Sequence, residues 1–191
     1  MCQYIGNTLT IRRFQMSLIN CGTRTISNGQ FNASSGTTLG ETATQSCNDG
    51  YILAGDETVT CTASGWNGSV AACTIKNCSV PEITNGETAE TPKGTTYNEI
   101  AIMSCADGYT LNGNTFVTCQ ADGNWSTLPT CVIKNCGDPT PSFGSSNGST
   151  YDYGETIEIT CQSGYNIRGS AVISCQADGT WSGTPTCDPQ A

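Results

Sequence analysis

Twelve cysteines fall into three sets of four with repeating internal steps, and no other feature restricts so tightly what this chain can fold into. The sets are Cys21, Cys47, Cys61 and Cys73; Cys78, Cys105, Cys119 and Cys131; and Cys136, Cys161, Cys175 and Cys187. The step from second to third cysteine is 14 residues in every set, and that from third to fourth is 12. Only the first step varies, at 26, 27 and 25 residues. Self-similarity at a fixed period marks a repeated structural unit. A length change confined to one interval marks a surface loop that tolerates insertion.

Other positions keep the same beat. Tyr51, Tyr109 and Tyr165 each stand four residues after a second cysteine and follow Gly50, Gly108 and Gly164. A further glycine follows at Gly55, Gly113 and Gly169. All three tryptophans, Trp66, Trp125 and Trp181, lie between a third and a fourth cysteine. Ile26-Ser27-Asn28-Gly29 matches Ile83-Thr84-Asn85-Gly86, with Pro141-Ser142-Phe143-Gly144 in the third copy. Glu155–Cys161 alternates β-formers with polar residues, the period of a half-buried strand. Asp49-Gly50 and Asp107-Gly108 are turn dipeptides. No segment sustains a helical period, so the fold class is all-β: a tandem array of three small, disulfide-rich β modules.

Each unit is short of large apolar side chains, and burial alone cannot offset the entropy of ordering so small a core. Cysteines supply the missing stability either as disulfides or as zinc ligands. The chain has no histidine, and its closest cysteine pairs, Cys73/Cys78 and Cys131/Cys136, join repeats instead of lying within them. Disulfides are therefore expected, and with them an oxidising compartment. Four cysteines allow three pairings, and their order alone does not choose among them.

Four cysteines per module, C-x-x-G-Y after the second and one tryptophan before the fourth: in these features the chain resembles the sushi module, also called the complement control protein module. The resemblance runs from Cys21 to Cys187. It implies first-to-third and second-to-fourth bridges: Cys21–Cys61, Cys47–Cys73, Cys78–Cys119, Cys105–Cys131, Cys136–Cys175 and Cys161–Cys187. The organisation is then an unassigned N-terminal segment (1–20), module 1 (21–73), a linker (74–77), module 2 (78–131), a linker (132–135), module 3 (136–187) and a tail (188–191). Module 1 departs from the pattern. Its Trp66 lies five residues after the third cysteine where the others lie six, and Ala71 replaces the proline of Pro129 and Pro185. The shape of its C-terminal loop is expected to differ.

The linkers, Thr74-Ile75-Lys76-Asn77 and Val132-Ile133-Lys134-Asn135, span little, so neighbouring modules must nearly touch. Ile75 and Ile133 are expected to plug the junctions, or else to cover local strand ends, within an elongated array. Such an array offers side surfaces more readily than one large cleft, which suits protein recognition.

Chemistry finds little support. Without histidine there is no Ser-His-Asp triad and no Cys-His pair. Nothing places two carboxylates on one wall of a pocket, and no copy carries the alternating acids of a calcium loop. No catalytic residue, cofactor or metal ligand is assigned. The net charge of −9 disfavours nucleic acid, anionic membrane and heparin-like polyanions. Tyr51, Trp66, Tyr109, Trp125, Tyr165 and Trp181 are expected to be core aromatics, since they recur at fixed offsets from the cysteines. Specificity is sought instead where the copies vary, at Tyr97-Asn98-Glu99-Ile100 and at Tyr151 and Tyr153. Of five N-x-[ST] sequons, Asn32, Asn67 and Asn147 are the candidate glycosylation sites; a cysteine or tryptophan in the middle position counts against Asn77 and Asn124.

Cys2 is left unpaired by this arithmetic. Residues 1–20 do not read as a signal peptide, because Arg12 and Arg13 interrupt them, so the chain is expected to be a piece of a longer protein. The expected function is a non-catalytic extracellular protein-binding array within a secreted or cell-surface adhesion or receptor-like protein. The alternatives are a complement-type regulator and the docking region of a secreted serine protease.

Overall fold

Alternation of small apolar and polar residues around each second cysteine builds the same strand three times. The computed structural model describes residues 18–190; Cys2 and all but the end of the N-terminal segment lie outside them. Module 1 contains β1 (Gly29–Asn32), β2 (Thr42–Cys47), β3 (Tyr51–Ala54), β4 (Thr58–Thr62), β5 (Gly65–Trp66) and β6 (Ala72–Ile75). Module 2 contains β7 (Ile100–Ile102), β8 (Tyr109–Asn112), β9 (Phe116–Thr118) and β10 (Thr130–Ile133). Module 3 contains β11 (Gly144–Ser146), β12 (Thr156–Cys161), β13 (Tyr165–Arg168), β14 (Val172–Ser174) and β15 (Thr186–Pro189). The described residues form no helix.

Two antiparallel pairings recur. In the first, β2, β7 and β12 pair with β4, β9 and β14, which sets Ala43 opposite Val59, Ala101 opposite Val117 and Ile157 opposite Ile173. Successive side chains alternate faces, so these six point inward and are buried. In the second, β3, β8 and β13 pair with β6, β10 and β15. The structure joins Cys21 to Cys61, Cys47 to Cys73, Cys78 to Cys119, Cys105 to Cys131, Cys136 to Cys175 and Cys161 to Cys187. Their Cα atoms lie 5.6–5.8 Å apart, the spacing an unstrained bridge requires. Each bridge contributes about 2–4 kcal/mol, a large share for cores of three or four buried side chains.

A single device seats each tryptophan. The residue after the first cysteine (Gly22, Ser79 or Gly137) has left-handed φ, at 66°, 59° and 70°. The side-chain oxygen of the asparagine before that cysteine (Asn20, Asn77 or Asn135) accepts its N–H at 2.8–2.9 Å. The carbonyl so turned accepts the indole Nε1–H of Trp66, Trp125 or Trp181 at 2.9 Å. A withdrawn indole needs such a partner.

Module 1 explains its own departures. Gln45 occupies the inward position held by Met103 and Ile159 in the other copies. Its Nε2 donates to the carbonyls of Asp56 (2.9 Å) and Ser69 (3.3 Å). Its Oε1 accepts the N–H of Ala71 at 3.0 Å. Proline has no N–H to give, so a proline at 71 would leave that oxygen unpaired. The early Trp66 follows from a tighter hairpin, in which Thr62 opposes Gly65 directly.

The chain divides into two compact units at Thr74/Ile75, with modules 2 and 3 together in the second. Within that unit the junction is not plugged by Ile133, which is exposed, as is Ile75 in its own linker. The two are the last residues of β6 and β10. The plug is Tyr153, whose ring lies against Gly108. Lys134 reinforces it: its N–H donates to the carbonyl of Gly108 at 2.8 Å and its Nζ to that of Ala177 at 2.6 Å.

Candidate protein-docking face

The outward positions of the first pairing are where the three copies part company. Module 1 places Thr42, Thr44, Thr58 and Thr60 there, and module 3 places Thr156, Glu158, Val172 and Ser174. Module 2 places Ile100, Ile102, Phe116 and Thr118. Ala101 and Val117, between them in sequence, point into the core and are fully buried. Pairing sets Ile102 opposite Phe116 and Ile100 opposite Thr118, so Ile100, Ile102 and Phe116 form one apolar stripe. Phe116 is 56% exposed and Ile100 47%. The stripe has an acidic margin on one side, where Glu90 bridges to Ile102. An apolar centre with a charged rim is the make-up of a protein-docking patch.

The other candidates distribute differently. Trp66 is buried in its cluster, and Trp125 and Trp181 pack half-buried against theirs. The tyrosines require a correction. Tyr51, Tyr109 and Tyr165 are half-buried and belong to no core cluster, because each opens a strand of the second ribbon, beyond the inward-facing pairs. Tyr165 instead stacks on exposed Phe143, ring centroids 4.4 Å apart. Tyr151 and Tyr153 are likewise not free for a partner. Tyr151 packs edge-on against Trp181 over the module 3 core, and Tyr153 is spent on Gly108. Of Tyr97-Asn98-Glu99-Ile100, the first three form a turn closed by the Glu99 N–H on the Thr96 carbonyl, and Ile100 alone joins the stripe. Ile102 and Phe116 were missed. Comparing the outward strand positions of the three copies, two residues apart, finds them.

Asn32, Asn67 and Asn147 are all exposed. Their side-chain oxygens accept backbone N–H groups from Ser34, Thr60 and Glu158 respectively. Asn77 serves the tryptophan seat and also accepts the Thr95 hydroxyl. Asp122-Gly123 and Asp178-Gly179 act as turns. The backbone N–H of Asn124, and the hydroxyl and N–H of Thr180, hold those carboxyls below the usual aspartate range, as the hydroxyl and N–H of Thr140 hold Asp138. None of these acids lies on the stripe.

Comparison with known proteins agrees with this geometry. The family model for the sushi repeat (SCR repeat) matches residues 21–73, 78–131 and 136–187. The rat "Sushi, von Willebrand factor type A, EGF and pentraxin domain-containing protein 1" is 38% identical over 167 residues, covering 85% of this chain and 5% of that protein. Rat C4b-binding protein alpha chain is 33% identical, covering 85% of this chain and 32% of the relative. The vaccinia virus (strain Western Reserve) protein "Complement control protein C3" is 35% identical, covering 83% of this chain and 63% of the relative. The chain thus spans from a twentieth to under two thirds of the length of these relatives.

Proposed function

We propose a function from one premise: this chain belongs to the sushi repeat family. It is an extracellular protein-binding segment whose principal docking face is the Ile100–Ile102–Phe116 stripe of module 2. The observation that carries this reading is the substitution of large apolar side chains at outward strand positions where the sister modules hold threonine, glutamate, serine and a single valine. Core packing does not call for them, since the inward positions of the same strands already fill the core. The acidic margin selects a partner with an apolar centre and basic surroundings.

The test is capture of extracellular proteins by the three-module chain, refolded with its bridges formed. Ile100→Thr with Phe116→Thr restores the residues of module 1 at those positions and leaves the core alone. Loss of two central anchors is expected to weaken capture by about tenfold or more. Unchanged capture would overturn the assignment of the face.

A second reading names the partner. Two relatives carry complement in their names or targets: C4b-binding protein and a viral complement control protein. On this reading the chain binds activated complement fragments, and immobilised C4b retains it. Failure on C4b with capture of another protein leaves the adhesion or receptor role.

A further inference from the structure

Modules 2 and 3 meet through a knob and a seat. The knob is Tyr153. The seat is Gly108, buried beneath it, where an added Cβ would fall 1.9 Å from the tyrosine Cδ1. Two backbone bonds hold the pair together: the Lys134 N–H donates to the Gly108 carbonyl at 2.8 Å, and the Tyr153 N–H to the Lys134 carbonyl at 2.9 Å.

The repeat makes both parts again. The seat recurs at Gly164 of module 3. Its φ of 89° is close to the 81° of Gly108, and the Gln190 N–H donates to its carbonyl at 2.8 Å, just as Lys134 does to Gly108. Gly164 is exposed, however, and no described residue lies within 4 Å of the place a Cβ would take. The knob position recurs at Leu39 of module 1. Its N–H donates to the Ile19 carbonyl at 3.1 Å, the counterpart of the Tyr153–Lys134 bond, and its side chain is 55% exposed. The linker pattern recurs as well. Ser17-Leu18-Ile19-Asn20 precedes Cys21 as Val132-Ile133-Lys134-Asn135 precedes Cys136, an apolar second residue and a final asparagine in both.

We propose that Gly164 and Leu39 are the open halves of further joints of this kind. Gly164 seats the apolar knob of another sushi module, and Leu39 is a knob that enters the glycine seat of another. The inference is independent of the partner reading, because it concerns module-to-module docking and not the stripe. The contact is small, so it forms when a short covalent linker holds the two faces at high effective concentration.

The test joins two copies of the chain from Cys187 to Cys21 through Val-Ile-Lys-Asn, the linker that precedes module 3, and reads the new joint by NMR with the copies segmentally labelled. Expected are nuclear Overhauser contacts between the Leu39 methyls and the Gly164 α-protons. Amide exchange at the linker lysine should be slowed about tenfold relative to Gln190 in the single chain. Gly164→Ala in the first copy should abolish both. The same substitution in the single chain sets the baseline for turn strain. Absence of the contacts with unchanged exchange, or their survival in the Gly164→Ala chain, overturns the proposal. Either result leaves the capture experiment on the stripe unaffected.

Discussion

Gln45 is the one polar side chain fully withdrawn from solvent among the described residues, and it is fully paired. A buried amide of this kind ties distant backbone together and is costly to break halfway. Gln45→Met gives module 1 the residue of module 2 but strands the Ala71 N–H and two carbonyls. Ala71→Pro gives it the proline of both sister modules but strands the Gln45 oxygen. Each change alone is expected to destabilise module 1 by about 1–3 kcal/mol. Together they remove donor and acceptor at once, so the double variant should cost at least about 1 kcal/mol less than the sum. A urea double-mutant cycle on the full chain checks this, and additive costs would show that the two departures are unrelated. A second residue carries a simpler expectation. Ser79 holds the left-handed φ that Gly22 and Gly137 hold without strain. Ser79→Gly is therefore expected to stabilise module 2 by about 0.5–1 kcal/mol in the same assay.

At the scale of strands and turns, legibility in the sequence follows how local the cause is. The strand ending at Cys161 was readable because its alternation is complete within seven residues. The turns at Gly50 and Gly108 were readable because their left-handed φ, 80° and 81°, favours glycine. The role of Gly55, Gly113 and Gly169 was not readable. Each lies against residue 71, 129 or 185, close enough that a Cβ would come within 3.0–3.5 Å, and that approach is made across the second ribbon. The docking stripe was half readable. Ile100 stood in a segment singled out for its variability, whereas Ile102 and Phe116 are ordinary β-formers until the register shows which face they share. The turn aspartates add a pH expectation. Asp122, Asp138 and Asp178 have folded pKa values below their ordinary 3.8. Their contribution is present above the unfolded value and is lost as pH falls through the folded one. Protection of the Asn124, Thr140 and Thr180 amides should therefore hold down to about pH 4 and fall below it. Asp178→Asn, which keeps an acceptor oxygen, should flatten the profile at Thr180 alone.

Across whole modules, the question is whether neighbours communicate, and two glycines of one repeat position separate that effect from local strain. Gly108 and Gly164 occupy equivalent turns with nearly equal φ, so alanine at either meets the same left-handed penalty of about 1–2 kcal/mol. They differ in what lies above them: the ring of Tyr153 over Gly108, and none of the described residues over Gly164. Gly164→Ala should therefore cost only the turn strain and stay confined to module 3. Gly108→Ala should cost about 1–3 kcal/mol more, the usual range for forcing an extra carbon into a packed contact. That excess should be felt in both modules, because displacing Tyr153 also pulls on its bond to Lys134 and, through it, on the Gly108 carbonyl. Amide exchange reads this directly. In the Gly108→Ala chain the Lys134 and Tyr153 amides should lose protection together, while those of β2 and β4 in module 1 keep theirs. Equal costs for the two substitutions, with Lys134 still protected, would mean that Tyr153 merely rests on Gly108 and that modules 2 and 3 fold without reference to each other.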